Sequence, residues 1–355
     1  MSEKIVYILG SGFSAPLGLP VMNNFLIKSK DLYFSNTDKY KHFKSVFDKI
    51  NELSVSKNYY SADLFNIEEI LSIIEMGSFL EGQELKKVFT DYILDVIKFY
   101  TPEIKPVTAI DTIVNWKELI FGSDNLLKKY GYFTGNLLGM EFKPIDIQNS
   151  GGTIKKLLVR RFGSPLTSYA IITLNYDLVL ENFCKFIMEN YETEGTIKFN
   201  TQEDLAFWNE IPLAKLHGSL DTGVIVPPTW AKGNNPKINS IWKNAYKILC
   251  EANHIRFIGY SLPIADSYIK FLLKSAVVKT EHLKSIDVIC LDNDGSVRKR
   301  YDEFLEFNYY KFANVDVTEY LTMLSSQYKG ISPRKEMVRM NALEKIHYTF
   351  MNEYQ

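Results

Sequence analysis

The stretch Ile5-Val6-Tyr7-Ile8-Leu9-Gly10-Ser11-Gly12-Phe13-Ser14-Ala15 decides the reading of the fold. Five β-prone apolar residues in a row, without polar alternation, mark a strand buried on both faces, the pattern of a parallel sheet. The residues that close it fit a G-x-G-x-x-A turn. Gly10 permits the tight bend, Gly12 lets a backbone approach a pyrophosphate, and exposed N–H groups supply hydrogen bonds. Alone, this match does not separate a dinucleotide turn from an ordinary glycine β–α turn. The acid expected about 20 residues on, at the tip of a second strand, has no convincing counterpart.

Outward from this turn, Pro16, Gly18 and Pro20 delay regular helix, and Met22–Lys30 reads as the first one. From 31 to 165 the texture is helical. Phe43, Val46, Phe47 and Ile50 are spaced for one face of a helix. So are Ile67, Ile70, Leu71 and Ile74, preceded by Asn66 with Glu69 three residues later in the manner of a capping box. Residues 131–152 are rich in Gly, Asn and Pro and read as loop. The α/β rhythm then returns with Ala170–Leu174, Ala214–Leu216, Val224–Val226, His254–Ile258 and Ile286–Leu291. This alternation predicts an α/β fold, a Rossmann-like doubly wound parallel sheet with a large α-helical insertion. The expected organisation is one domain over 1–325, with a core of 1–30 and 166–325, an insertion of 31–165, and an appended helical tail over 326–355.

Composition narrows the class. The 355 residues carry 41 basic and 42 acidic side chains, so no global charge points to DNA or RNA. Cys184, Cys250 and Cys290 are far apart. They do not form the close pairs of a structural zinc site and read as reduced core residues of a cytoplasmic protein. The N-terminal apolar run is too short for a signal h-region, and no run of about 18 apolar residues suggests a membrane span.

In an open parallel sheet, ligands bind beyond the carboxyl ends of the strands. The strand-ending residues here are Gly10, Asn175, His217, Gly259 and Asp292. Thr173-Leu174-Asn175-Tyr176-Asp177 offers an amide and a carboxylate; a helix N-cap explains one of them, not both. Lys215-Leu216-His217-Gly218-Ser219 puts a histidine at a strand end, a place suited to acid–base work. Phe257-Ile258-Gly259-Tyr260-Ser261-Leu262, with Asp266 beyond it, is another tight turn into a helix.

In this order, the blocks resemble the sirtuin-like family, and within it the bacterial NAD-hydrolysing branch. The resemblance spans 8–20, 173–181, 215–221, 226–232, 257–271 and 289–293 as scattered blocks. Two departures set the chain apart from protein-deacylating sirtuins. The interval Asp221–Lys243 holds no cysteine where they carry a four-cysteine zinc module, and Val21-Met22-Asn23 stands where they carry Asp-Phe-Arg. Pro227-Pro228-Thr229-Trp230 and the helical insertion fit the hydrolase branch better.

The resemblance implies an NAD glycohydrolase that uses NAD as substrate and no metal, releasing nicotinamide and ADP-ribose in antiphage defence. Asn175 would position water or ribose, Asp177 would hold the carboxamide, and His217 would act as general base. Gly10, Ser11, Gly12, Phe13 and Ser14 would cradle the pyrophosphate, with Phe13 also covering the ring. Tyr176, Gly259, Tyr260 and Ser261 would line the phosphate and ribose side, and Asp292 or Asn293 would accept from the adenosine ribose. The implied partners are further copies of the chain, a HerA-type ATPase or a phage-derived activator, through the insertion or the tail, without nucleic acid or membrane. The alternatives are a zinc-independent NAD-dependent deacylase or ADP-ribosyltransferase, and a catalytically silent NAD-binding assembly module. A nicotinamide dehydrogenase lacks its second-strand acid here.

Overall fold

A computed structural model describes residues 2–55, 59, 66–81, 85–106, 120–149, 152–163, 166–201, 210–226, 236–264, 266–278, 282–329 and 336–354. In chain order, β1 (Glu3–Leu9) leads through the short α1 (Ser11–Ser14) to four helices: α2 (Phe25–Ser35), α3 (Phe43–Leu53), α4 (Ile67–Glu81) and α5 (Leu85–Tyr100). Then come α6 (Asn125–Leu137), the hairpin β2 (Met140–Asn149) and β3 (Gly152–Arg161), β4 (Thr167–Thr173) and α7 (Val179–Asn190). The short strands β5 (Glu192–Glu194) and β6 (Phe199–Asn200) precede β7 (Ile211–Lys215), β8 (Gly218–Ser219) and β9 (Val224–Ile225). Last are α8 (Pro236–Cys250), β10 (His254–Ile258), α9 (Ser267–Val277), β11 (Ser285–Ile289), α10 (Ser296–Phe304), β12 (Tyr310–Ala313), α11 (Val317–Ser326), β13 (Val338–Arg339) and α12 (Leu343–Glu353).

The main sheet has seven strands in the order β12-β11-β10-β1-β4-β7-β6, paired in parallel throughout. From β1 the chain moves outward to β4 and β7, then returns to β10 on the other flank and moves outward again. This is the doubly wound order expected from the sequence, with its switch point between β1 and β10. Alternate residues of β1 enter opposite cores: Ile5, Tyr7 and Leu9 pack with α6, α7, α11 and α12, while Val6 and Ile8 pack with α8, α9 and α10. Covering both faces explains the unbroken apolar run.

The helical segment has its own core, built from Phe25, Phe43, Ile70, Phe89, Tyr92, Val96 and their neighbours. The capping signal at Asn66 is realised, because its side chain accepts from the Glu69 amide at 3.2 Å. The first long helix begins three residues later than Met22, since Val21 to Asn24 form a turn in which the Val21 amide donates to Asn24 Oδ1 at 2.9 Å.

The described residues of 131–152 are not loop but the end of α6, a short turn and strand. Gly131, Gly135 and Asn136 belong to α6. Asp124 caps α6 through the Leu126 and Leu127 amides, both at 2.8 Å. A Cβ on Gly131 would lie 2.3 Å from the Phe121 ring, and one on Gly135 would lie 2.3 Å from Met340 Sδ. These glycines serve close packing rather than breaking the helix. The hairpin that follows joins a second sheet, β13-β2-β3-β5, so the insertion is not wholly helical.

The C-terminal segment is not an appendage. β13 pairs with β2, and Leu343, Ile346, Phe350 and Met351 of α12 are buried in the sheet's core. Each such side chain contributes about 1.5–3 kcal/mol on burial. Arg256 of β10 forms a bidentate pair with Glu344, at 2.8 and 2.7 Å. His347 lies within 3.2 Å of Asp287 on β11. No helix among the described residues is long and apolar enough to cross a membrane.

Candidate functional site

A cavity of about 320 Å³ opens at the carboxyl ends of β1, β4, β7 and β10, beside the switch point. That volume is at the lower end of the range for small-molecule sites. Its polar wall includes Gly10, Ser11, Ser14, Asn23, Asn175, Tyr176, Asp177, His217, Tyr260, Ser261 and Asp266. The fold therefore gathers, from four strand ends, most of the residues singled out by sequence.

Asn175 is held from both sides. Its Nδ2 donates to the Gly10 carbonyl at 2.9 Å and to Ser14 Oγ at 3.3 Å, and its backbone amide donates to Thr173 Oγ1. With both amide hydrogens engaged by protein, the side-chain carbonyl is the end offered to a ligand. Asp177 does part of an N-cap's work, accepting the Val179 amide on Oδ1 at 3.1 Å, while its carboxylate still lines the cavity. Behind it, the buried Lys215 ammonium donates to the Asp177 carbonyl and to Glu181 Oε1. Burial pushes the Glu181 carboxyl above its ordinary range against the pull of Lys215. His217 is buried, with its ring centroid 6.2 Å from that of Tyr176, and its carbonyl accepts the Val226 amide.

The glycine turn departs from expectation in two ways. The Phe13 ring faces away from the cavity into the core, with its centroid 5.1 Å from that of Tyr130. It cannot cover a ligand ring from there. The turn's amides are also largely used within the protein: Gly10 donates to Ile258, Gly12 to Gly259, and Phe13 to Gly10. Ser11 and Ser14 remain as the turn residues of the cavity wall besides Gly10.

The physical need for glycine here is contact between two loops. A Cβ on Gly10 or Gly12 would lie 2.6 or 2.8 Å from the Gly259 carbonyl, and one on Gly259 would lie 2.1 Å from the Phe13 nitrogen. Gly259 also has φ +62°, a left-handed conformation that costs other residues roughly 1–2 kcal/mol. Gly259→Ala is therefore expected to destabilise the chain by more than about 2 kcal/mol, read as a lowered denaturant midpoint. An unchanged midpoint would refute the contact argument.

The loop after β10 is fixed by several bonds. Tyr301 Oη donates to the Tyr260 carbonyl at 2.8 Å, Arg300 Nε to the Ser261 carbonyl at 3.0 Å, and Tyr260 Oη to Asp266 Oδ2 at 2.9 Å. They hold Leu262 at φ +49°, the one non-glycine residue of positive φ among those described. Such strain is characteristic of sites whose geometry the surroundings dictate.

Asp292 and Asn293 lie outside the cavity. The Asp292 carboxylate accepts the Val297 and Arg298 amides at 3.2 and 2.9 Å and so starts α10; Asn293 is exposed. The sequence reading missed the opposite wall, where Met22, Phe25, Ile67, Leu71, Ile93 and Ile97 bring the helical segment over the site. Their spacing signals only an amphipathic helix, and which helix meets which sheet end is not a local property. The Pro227-Pro228-Thr229-Trp230 segment lies outside the described residues. No group of His, Cys, Asp or Glu among the described residues is arranged to hold a metal ion.

No curated protein matches the chain. Distant likenesses occur among solved structures. One described as "The Structural basis of Sirtuin Substrate Affinity" has a TM-score of 0.39 and 12% identity, over 92% of this chain and 94% of that one. Another, "Crystal structure of a Sir2 homolog-NAD complex", has a TM-score of 0.40 and 12% identity, over 92% and 89%. By sequence, residues 169–314, from β4 through β12 and including Asn175, Asp177, His217 and Asp266, match the profile of the SIR2-like domain.

Proposed function

We propose that the chain is an NAD hydrolase that cleaves the bond between ribose C1′ and the nicotinamide nitrogen. The observation that carries this reading is the convergence of Asn175, Asp177 and His217 with the glycine turn on one cavity. Nicotinamide leaves as a neutral base from a cationic ring, so no acid is needed to protonate it. The transition state resembles an oxocarbenium ion, as in glycoside cleavage. Asn175, whose carbonyl is the available acceptor, orients water or a ribose hydroxyl. His217 takes the proton, general base help commonly worth about 10²–10⁴-fold. Asp177 holds the carboxamide, its position fixed from behind by Lys215. Apolar side chains from α4 and α5 roof the site and exclude bulk water around the reacting bond.

Such an activity would serve antiphage defence by NAD depletion inside the cell, gated by association with further copies, a HerA-type ATPase or a phage-derived activator. The direct test is incubation of the purified chain with NAD, with products separated by chromatography. Nicotinamide and ADP-ribose should appear without any acceptor. Turnover that requires an acylated peptide would replace this reading with deacylation, and NAD bound but intact would replace it with a silent binding module.

A further inference from the structure

The dinucleotide reading leaves one question to the cavity wall: which group holds the second ribose. Asn175, Tyr176, Asp177 and His217 follow β4 and β7, on one side of β1, whereas residues 260–266 follow β10 on the other. A dinucleotide laid across the switch point therefore puts its reacting half over β4 and β7 and its other half over β10. On the β10 side the acid is Asp266. It is buried, 3% exposed, and lines the cavity.

Asp266 occupies the N-cap position of α9, yet its side chain makes no capping bond. An N-cap aspartate ordinarily spends its carboxylate on the helix amides, as Asp124 and Asp316 do here. The Asp266 carboxylate is instead oriented by Tyr260 Oη at 2.9 Å, within a loop itself pinned by Tyr301 and Arg300. Among the described residues the cavity wall carries Asp177 and Asp266 and no Lys or Arg. Arg300 reaches the loop at the Ser261 carbonyl and Ser296 Oγ and is not part of that wall.

We propose that Asp266 is a specificity-determining carboxylate: it accepts from the hydroxyls of the adenosine ribose and makes the site select NAD over its 2′-phosphorylated form, NADP. A carboxylate matches a ribose diol, and it repels a phosphate that no cation among the described residues of the wall would offset. This inference rests on the dinucleotide reading of the site, but not on the cleavage step.

The test is equilibrium binding of NAD and NADP by calorimetry to the full chain in an Asn175→Ala background, which keeps the ligands intact. The background should bind NAD about 10- to 100-fold more tightly than NADP, the scale of a hydrogen bond to a charged group. Adding Asp266→Asn should weaken NAD by about tenfold, leave NADP unchanged or improved, and close the gap at unchanged Tm. Tyr260→Phe, which removes only the orienting hydroxyl, should narrow the gap less, and it decides the matter if Asp266→Asn does not fold. An unchanged NAD to NADP ratio in the folded variants overturns the proposal, as does an equal loss of both ligands. Binding with this preference in a wild-type chain that releases no nicotinamide would sink hydrolysis and leave Asp266 standing. Binding of neither dinucleotide would overturn both.

Discussion

Asn175→Ala is expected to lower nicotinamide release from NAD by at least about 100-fold, the usual loss when one preorganised polar group at a reacting centre is removed. The side chain is fixed by donating to the Gly10 carbonyl and Ser14 Oγ, so its carbonyl needs no reorganisation to meet water or ribose. Asn175→Asp should fare little better despite its shape. A carboxylate oxygen would face the Gly10 carbonyl, where an amide now donates, and the anchoring contact would become repulsive. His217→Ala should cost about 10²–10⁴-fold through loss of the general base. Nicotinamide is followed by chromatography and folding by Tm. Asn175 is only partly buried and should leave Tm nearly unchanged, whereas truncating the buried His217 should lower it. Retained turnover in both variants would remove the chemical roles given to them.

Glu344→Ala should destabilise the chain by about 1–3 kcal/mol, because Glu344 is itself 36% exposed but its loss leaves the buried Arg256 guanidinium without its carboxylate. Its carboxylate accepts both Arg256 terminal nitrogens and Tyr169 Oη. Burial alone would raise the Glu344 pKa, but the bonds and charge of Arg256 outweigh it and hold it below the ordinary value. Close by, burial first and then the charge of Arg256 push His347 down to about 4, against the pull of Asp287. An unfolded histidine titrates near 6.5. The unfolded chain thus binds the extra proton between about pH 6.5 and 4, and stability falls by up to about 3 kcal/mol as pH drops through that window. The contribution is complete above pH 6.5. Thermal melts across this range should show the slope in the wild type and lose most of it in His347→Phe. A Glu344→Ala variant as stable as the wild type would mean that the Arg256 pair does not help to fasten α12 to the sheet.

How much of the site was legible follows from where each signal resides. The paired Asn175 and Asp177, and His217 before Gly218, stand at strand ends that a local pattern reveals. Phe13 was misread because a side chain's face depends on the twist of a four-residue helix against Tyr130 and Phe133. Asp292 was misread because a strand-end acid and a helix-starting acid look alike in sequence; only its bonds to Val297 and Arg298 tell them apart. Asp266 shows the converse, an N-cap residue whose carboxylate is turned to other use.

By itself, the sequence determined the parallel sheet, its alternation with helices, and the strand ends where chemistry gathers. Those features follow from period, burial on two faces and turn residues, all set within a few neighbouring positions. Tertiary structure alone decided that Gly131 and Gly135 admit Phe121 and Met340 into a helix, and that the C-terminal segment completes the core. It also placed Ile67, Leu71, Ile93 and Ile97 over the cavity, and made Gly10, Gly12 and Gly259 one contact between loops far apart in the chain. Each of these depends on which distant surface an element meets, and a residue's own neighbours in sequence carry no record of that.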